Sequence, residues 1–386
     1  MIMIHHSLFY DIKLKQEKTN ITFLLKAMCM KSSYKVLLFL SLSLSLYCAS
    51  SVHFDIATSQ TSEEQDSVCS PIYIAKTVNS TSRGISEANS LPGFHAVKKF
   101  DSNGTLVGVW GTKGTGDGQF LHAHGIGTDS KGNVYVSDAE RCDIQKFDSN
   151  GTFITKWGSL GTGPSKFLEP ESIAVDANGN VFVADYGNHY IQKFDSNGKF
   201  ITMWGTKGKG KSEFNKAWGV AVNSKGDVYV SDQQNPVVQK FDNDGKFITM
   251  WGSFGSGNGQ FVHLHDVTVD LKDMVYVTDG RNNSRIEKFD SDGNFITKWG
   301  SKGSADGQFI ENHGIVVDSK GYVYVVDTRN VRIQKFAPDG QFVMKWGSLG
   351  CGDNQFLIPH DIAIDSKGYI YVSDSGNVHF REKVKC

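Results

Sequence analysis

The stretch that decides the fold is SIAVDANGNVFVADYGNHYIQKFDSNGKFITMWG, residues 172–205. Its short apolar runs are separated by DANGN, DYGN and DSNG, turn sequences whose Asn, Asp and Gly residues tolerate positive φ angles. Short runs rich in Val, Ile, Phe and Tyr and bounded by such turns are typical of β-strands joined as hairpins. The stretch therefore predicts one four-stranded antiparallel sheet.

The same pattern recurs along the chain with a nearly constant period. Six Trp-Gly pairs follow one another at intervals of 47, 47, 47, 48 and 47 residues. Their tryptophans are Trp110, Trp157, Trp204, Trp251, Trp299 and Trp346. A fixed period indicates a repeat architecture, and the copies lack the atypical caps that would end a linear solenoid. The sequence therefore predicts an all-β fold, a six-bladed β-propeller of four-stranded antiparallel blades.

The first and last copies are incomplete in complementary ways. The N-terminal copy begins with Val97-Lys-Lys-Phe100 and an outer strand that ends at Trp110, whereas the last copy stops after its third strand, near residues 379–384. We expect the N-terminal segment to complete the last blade, which gives five complete blades and one shared blade. Both ends carry a third strand, and the sequence leaves open which of them occupies that place.

The first fifty residues resemble a secretory signal. Lys31 and Lys35 precede an apolar run, residues 36–47, and small residues follow it. The run is shorter than the roughly 20 apolar residues of a comfortable membrane span. A signal peptide is therefore predicted, with an uncleaved anchor as the alternative and with translation starting at Met28 or Met30. The protein is expected to be secreted or held at the cell surface, with no other contact to a membrane.

Composition divides the chain into three segments. These are the N-terminal extension with the signal or anchor at 1–50, a Ser/Thr-rich flexible linker at 51–92, and the propeller at 93–386. The formal net charge of −1 argues against a dedicated polyanion binder, so nucleic-acid binding is only a minor alternative. Four cysteines lie beyond the signal, Cys69, Cys142, Cys351 and Cys386, and their spacing does not reveal a pairing.

Residues that recur in every copy are interpreted as structural. The tryptophans are expected to pack between blades. The aspartate that ends each second strand, such as Asp138, is expected to accept backbone hydrogen bonds in the following turn. The lysine of each Lys-Phe pair, such as Lys146, is expected to lie on a solvated face.

One position of the repeat holds a histidine in four of the six copies. It lies five residues before the Asp or Asn that closes each innermost strand, and we call it the mouth position. It holds His124, Glu171, Trp218, His265, His313 and His360. The chain enters the strand nearest the axis here, so these side chains are expected at the mouth of the central channel, where a concave site is expected.

Two further histidines lie two residues earlier. His122 and His263 share a side of the extended chain with His124 and His265, because side chains alternate along a strand. Imidazole clusters suit Zn²⁺, Cu²⁺, Ni²⁺ or Fe²⁺, and three histidines around an open coordination position can activate water. The histidines therefore predict a site for zinc or another divalent transition metal, with Glu171 as a further ligand or a base. The alternative is that duplication copied one histidine whose only role is hydrogen bonding between blades.

The consensus of the copies, GIAVD, GNVYVAD, NxRIQKF and FxxKWG, resembles the NHL repeat over residues 94–386. That family includes enzymes, RNA binders and protein-interaction modules. One member is the peptidyl-hydroxyglycine amidating lyase, whose zinc histidines lie in Pro-His-Gly-like motifs at this strand start. Pro359-His360-Asp361 is similar, and His313-Gly314 and His124-Gly125 match more loosely. The lyase's tyrosine is replaced here by Arg281, a departure that argues against that particular reaction.

Two functions follow from these observations. The first is a non-enzymatic scaffold that binds an extracellular protein, glycan or small molecule through the channel mouth and the loops around it. The loop residues expected to bind, together with Trp218, are Tyr186, Gln233, Gln234, Arg281, Arg329 and Asn330. The alternative is a metal-dependent lyase or hydrolase with the histidines as ligands and Glu171 or Arg281 assisting. No phosphate loop, dinucleotide fingerprint or nucleophile elbow is present in the sequence.

Overall fold

A computed structural model describes residues 95–376 and a separate antiparallel pair of short strands, Gln16–Glu17 and Asn20–Ile21. Residues 95–376 form six four-stranded antiparallel sheets, so the predicted propeller is confirmed. The only helical element among these residues is the 3₁₀ turn Thr328–Asn330, and no helix in the described part of the chain is long and apolar enough to span a membrane. The predicted signal, the linker and the C-terminal third strand lie outside the described residues.

Each blade runs from an innermost strand at the axis to an outer strand at the periphery. The innermost strands of blades 1 to 6 are Ala123–Thr128, Pro170–Val175, Ala217–Val222, Leu264–Val269, Asn312–Val317 and Pro359–Ile364. The second strands are Val134–Asp138, Val181–Asp185, Val228–Asp232, Val275–Asp279, Val323–Asp327 and Ile370–Asp374. The third strands are Asp143–Phe147, Tyr190–Phe194, Val237–Phe241, Arg285–Phe289, Arg332–Phe336 and, in blade 6, Ala96–Phe100. The outer strands are Phe153–Trp157, Phe200–Trp204, Phe247–Trp251, Phe295–Trp299, Phe342–Trp346 and, in blade 6, Leu106–Trp110.

Short parallel pairings fasten the loop that precedes an innermost strand. Two of them are strand pairs, Thr112–Lys113 with Gln119–Phe120 and Thr206–Lys207 with Glu213–Phe214. The other four loops carry single bridges, Leu160 with Phe167, Phe254 with Phe261, Lys302 with Phe309 and Leu349 with Phe356. The loops between blades therefore share one backbone arrangement.

The N-terminal segment closes the ring. Val97 pairs with Ser373 of the second strand and with Trp110 of the outer strand, so the N-terminal copy supplies both peripheral strands of blade 6. The third strand of blade 6, which the sequence left unassigned between the two chain ends, is therefore Ala96–Phe100. Blade 6 then meets blade 1 directly, because the Ile126 amide donates to Asp361 Oδ2 at 2.9 Å.

The tryptophans pack between blades, as predicted. Trp110 of blade 6 lies 6.0 Å from Tyr371 of its own blade and 6.1 Å from Phe147 of blade 1, measured between ring centroids. Its indole also covers Gly151, whose φ of 84° favours glycine and where a Cβ atom would lie 2.5 Å from the indole. Aromatic burial of this kind joins each outer strand to the next blade.

The expectation that the Lys-Phe lysines lie on a solvated face is wrong for Lys146, Lys193 and Lys240, which are buried. Lys146 is only 7% exposed, and its ammonium donates to the Ser196 carbonyl of the next blade at 2.8 Å. The same ammonium lies 5.0 Å from the Tyr135 ring centroid, a cation–π contact. Burial lowers the pKa of this lysine from its ordinary value. Lys146 therefore links two blades. Its ammonium contacts a backbone carbonyl and an aromatic ring in place of the water expected on a solvated face.

Candidate ligand site at the channel mouth

The residues of the mouth position converge on one cavity of about 820 Å³. The ring centroids of His124 and His360 lie 4.3 Å apart, those of His265 and His313 4.2 Å apart, and those of His313 and His360 5.7 Å apart. The cavity is also lined by the other predicted residues His122, His263, Tyr186, Gln233, Gln234, Arg281 and Arg329. Asn330 is not among the lining residues, and its side-chain amide donates to Asp327 beside its own turn and to Gly303 in the loop that leads into the same blade.

The aspartate at the end of each second strand fixes the segment that enters the site. Asp138 accepts hydrogen bonds from the backbone amides of Leu121 at 2.7 Å and His122 at 3.0 Å. It also accepts from Glu140 in the following turn at 3.1 Å, as predicted. The second strand thereby holds the backbone beside the mouth position, a structural role for a recurring carboxylate.

A hydroxyl on the preceding blade holds the backbone of four mouth positions. Thr278 Oγ1 donates to the carbonyl of His313 at 2.8 Å, and Ser373 Oγ donates to the carbonyl of His124. Ser137 and Ser231 make the equivalent bonds to Glu171 and His265. This role is not evident from the sequence, because these residues look like ordinary strand positions in VYVSD.

A second set of hydrogen bonds also joins neighbouring blades. In each even blade, the side chain directly after the mouth position accepts a backbone amide of the next odd blade. Asp361 and Asp266 accept the amides of Ile126 and Ile315, each two residues past a histidine of the site. In the same way, Ser172 of blade 2 accepts the amide of Val220 in blade 3. The equivalent residue of each odd blade is glycine, namely Gly125, Gly219 and Gly314. The ring therefore alternates between two kinds of blade.

Three histidines form the first of two clusters of potential metal ligands. His122 Nε2 lies 3.3 Å from His360 Nε2, and one nitrogen from each of His122, His124 and His360 lies within 4.8 Å of the others. Burial, followed by the neighbouring imidazoles, lowers the pKa of His122 to about 3 and that of His360 well below its usual range. These two rings are therefore neutral at pH 7, the form that can coordinate a metal.

Glu171 orients the third member of this cluster. His124 Nδ1 lies 2.7 Å from Glu171 Oε2, and both side chains are buried. Burial alone would lower the pKa of His124, but the adjacent Glu171 carboxylate outweighs it and raises that pKa. A carboxylate that accepts the hydrogen bond of one ring nitrogen leaves the other nitrogen free to coordinate.

A second cluster lies on blades 4 and 5, next to the first, and includes Glu311, which the repeat pattern does not single out. One ligand atom from each of His265, Glu311 and His313 lies within 4.8 Å of the others. Arg281 Nε donates to Glu311 Oε1 at 2.7 Å, and Arg329 bonds the other oxygen. Burial would raise the pKa of Glu311, but His313 and the two arginines hold it well below its usual range. Glu311 lies two residues before His313, the same spacing that identified His122.

Trp218 occupies the space between the clusters. Its ring centroid lies 5.0 Å from that of His265, 5.6 Å from that of His124 and 5.2 Å from that of Tyr186, the last in an edge-to-face arrangement. The Tyr186 hydroxyl donates to Gln233 Oε1 at 3.1 Å. A cavity lined by the aromatic residues Trp218 and Tyr186 and by polar side chains suits a small ligand that has both apolar and polar parts.

Comparisons with known proteins agree with the fold. The NHL repeat family matches residues 167–194, 214–241 and 313–336. Among solved structures, a streptogramin B lyase is similar at 12% identity and a TM-score of 0.51, covering 73% of this chain and 96% of that one. A gluconolactonase from Xanthomonas campestris is similar at 14% identity, 67% and 87% coverage and a TM-score of 0.51. A chain of a nidogen/laminin complex is similar at 13% identity, 73% and 99% coverage and a TM-score of 0.50. No curated protein matches the sequence, and identities this low show the fold alone.

Proposed function

Because this chain is a six-bladed β-propeller that carries NHL repeats, we propose that it is a metal-dependent lyase or hydrolase that acts on a small molecule at the channel mouth. The observation that carries the proposal is the 3.3 Å distance between His122 Nε2 and His360 Nε2. Two nitrogen ligands at 2.0–2.1 Å from a tetrahedral zinc ion stand about 3.3 Å apart. The distance between His122 and His360 therefore supports their proposed role as two ligands of one ion.

The residues present suit zinc or a similar divalent transition metal. His122, His124 and His360 would be its ligands, and a bound ion would supply an activated water molecule or a polarised substrate oxygen. Glu171 holds His124 by the Nδ1 side, which presents Nε2 as the coordinating atom. Because the three proposed ligands are imidazoles and the Glu171 carboxylate contacts only one of them, a bound ion would keep part of its charge and favour a substrate with an electron-rich oxygen.

The remaining residues of the cavity bind and orient the substrate in this proposal. Trp218 supplies an apolar surface beside His124, and Gln233 and Arg281 line the polar wall. The side chain of Arg281 is 53% exposed, so it can contact both Glu311 and a ligand. Proton transfer in this proposal falls to Glu171, because Glu311 is already paired with two arginines.

The proposed location is outside the cell. Cys142 and Cys351 are both disulfide-bonded, and disulfides persist mainly in oxidising compartments. The charged N-region and the apolar run of residues 36–47 support the same location.

A binding module without chemistry is the second candidate. It is favoured by the engagement of both buried carboxylates of the cavity, since Glu171 pairs with His124 and Glu311 pairs with Arg281 and Arg329. Neither carboxylate is then free to act as a general base by itself. In this case the mouth recognises a ligand through the same residues and releases it unchanged.

Cobalt substitution tests the metal site without knowledge of the substrate. We expect the protein loaded with Co²⁺ to show the intense visible bands of a tetrahedral ion, and His360→Ala to lose them. His263→Ala is the matched control, because His263 lines the same cavity but lies outside the cluster. Loss of the bands in both variants, or their absence from the unmodified protein, would remove the metal from the proposal and leave the binding module.

A further inference from the structure

Each of the six loops that lead into the innermost strands carries one exposed residue at an equivalent position. In each loop a glycine amide donates to the carbonyl of the phenylalanine six residues later, as from Gly255 to Phe261 at 3.1 Å. The six residues that directly precede these glycines, one in each loop, form a surface that we call the rim. The rim residues are Lys113, Leu160, Lys207, Phe254, Lys302 and Leu349, and all six are exposed. Because the blades repeat around one axis, equivalent positions lie on one ring.

The rim alternates between lysine and a large apolar residue. Odd blades carry the lysines, and even blades carry Leu160, Phe254 and Leu349, which are 57%, 73% and 49% exposed. A single exposed apolar residue is ordinary, but three at alternate blades of one ring form a tripod. Three points define a plane, so the tripod suits a flat partner better than a groove or a peptide.

The rim surrounds the channel mouth and is more basic than the rest of the chain. Lys302 is itself part of the cavity lining, which places the rim on the mouth side of the propeller. The six rim residues include three lysines and no carboxylate, whereas the whole chain has a formal net charge of −1. Two aspartates of the same loops, Asp117 and Asp306, are paired with lysines of outer strands. The basic excess therefore faces outward from the mouth.

We propose that the rim docks on an anionic lipid bilayer. Apolar side chains that project from a plane enter the boundary between headgroups and acyl chains, and lysines between them bind anionic headgroups. Docking would turn the channel mouth towards the bilayer, so that the site would receive its ligand from the membrane surface. This contact is separate from any N-terminal anchor, and it does not depend on the proposed chemistry.

A positional fluorescence measurement on the full chain tests the proposal. Phe254→Trp places a new indole on the rim, and Leu271→Trp is the matched control, because Leu271 is 74% exposed in the turn at the opposite end of the innermost strands. The probe is a vesicle of phosphatidylcholine with phosphatidylglycerol whose acyl chains are brominated. We expect quenching of the added emission in the Phe254→Trp protein to be at least twofold greater than in the Leu271→Trp protein.

The lysines give the second arm of the test. Changing Lys113, Lys207 and Lys302 together to glutamine in the Phe254→Trp protein should weaken vesicle binding by about fivefold per lysine. Vesicles without the anionic lipid should give little quenching at position 254. Equal quenching at 254 and 271, or no effect of the lysines, would overturn the proposal. A spectral shift at position 254 that grows with protein concentration without vesicles would indicate a second copy as the partner, and would overturn it as well.

Discussion

His122 Nε2 and His360 Nε2 lie 3.3 Å apart although 238 residues separate them in the chain. One belongs to the loop that enters blade 1, and the other begins the innermost strand of blade 6. Their approach depends on the closure of the ring, which the N-terminal strands of blade 6 complete. The candidate site and the closure of the fold are therefore coupled.

Glu171→Gln should weaken metal binding without unfolding the protein. The amide still fills the space beside His124 but lacks the charge that orients its Nδ1. Loss of such an outer partner lowers metal affinity by about 10- to 100-fold. Competition with a zinc chelator measures the effect. Glu140→Gln is the control with the same change of charge at the cavity wall, and equal losses in both variants would contradict the role given to Glu171.

Ser373→Ala should destabilise the fold by about 1–3 kcal/mol, because it leaves the buried carbonyl of His124 and the buried amide of Asp361 without this hydroxyl. Urea unfolding measures the loss. The exposed turn residue Ser130 provides the control, since Ser130→Ala should change stability by less than about 0.5 kcal/mol. A loss of metal affinity beyond the change in stability would show that the hydroxyl also positions His124.

Gly151→Ala should cost more than Gly163→Ala. Both glycines have positive φ, 84° and 94°, so both variants carry the backbone strain of an alanine in that region, about 1–2 kcal/mol. Only at Gly151 would the new Cβ lie 2.5 Å from Trp110, whereas nothing lies within 4 Å at Gly163. The clash should add roughly 1–3 kcal/mol in thermal or urea unfolding. Equal losses would mean that Trp110 moves freely and is not a packing anchor.

Asp185→Asn should flatten part of the pH dependence of stability. Burial raises the pKa of Asp185 from 3.8 to about 6, against hydrogen bonds from Asn188, Glu169 and Leu168 that favour the charged form. A raised pKa in the folded state contributes stability that is fully present below pH 3.8 and is lost as the pH rises through about 6. The stability of the unmodified protein relative to the variant should therefore fall between pH 4.5 and 6.5. A rise over that interval would show that the hydrogen bonds outweigh burial.

The fold could be predicted from sequence because its determinants are local and repeated six times. The turn sequences fix the hairpins, and the period fixes the number of blades. The identity of the third strand in blade 6 could not be predicted, because both chain ends carry it and only the pairing of Val97 with Ser373 decides. Lys146 was placed in solvent because its partner, the carbonyl of Ser196, belongs to the next blade.

The candidate site could be predicted only in part. The histidines of the mouth position were identifiable because four of them recur at one position of the repeat. Glu311 was missed because a carboxylate near a strand start is common, and its partners Arg281 and Arg329 lie in separate loops. Asn330 was assigned to the mouth, but its amide is used within its own turn. Contacts between blades are therefore the information that one repeat cannot supply.

The most direct test of the proposed metal site is the metal content of the purified protein after equilibration with Zn²⁺ and removal of free ion. The account predicts about one tightly held zinc ion per chain, lost when His122 and His360 are both changed to alanine in a protein that still melts cooperatively. His263→Ala should keep the ion. No bound zinc in the unmodified protein, or zinc retained by the double variant, would contradict the account.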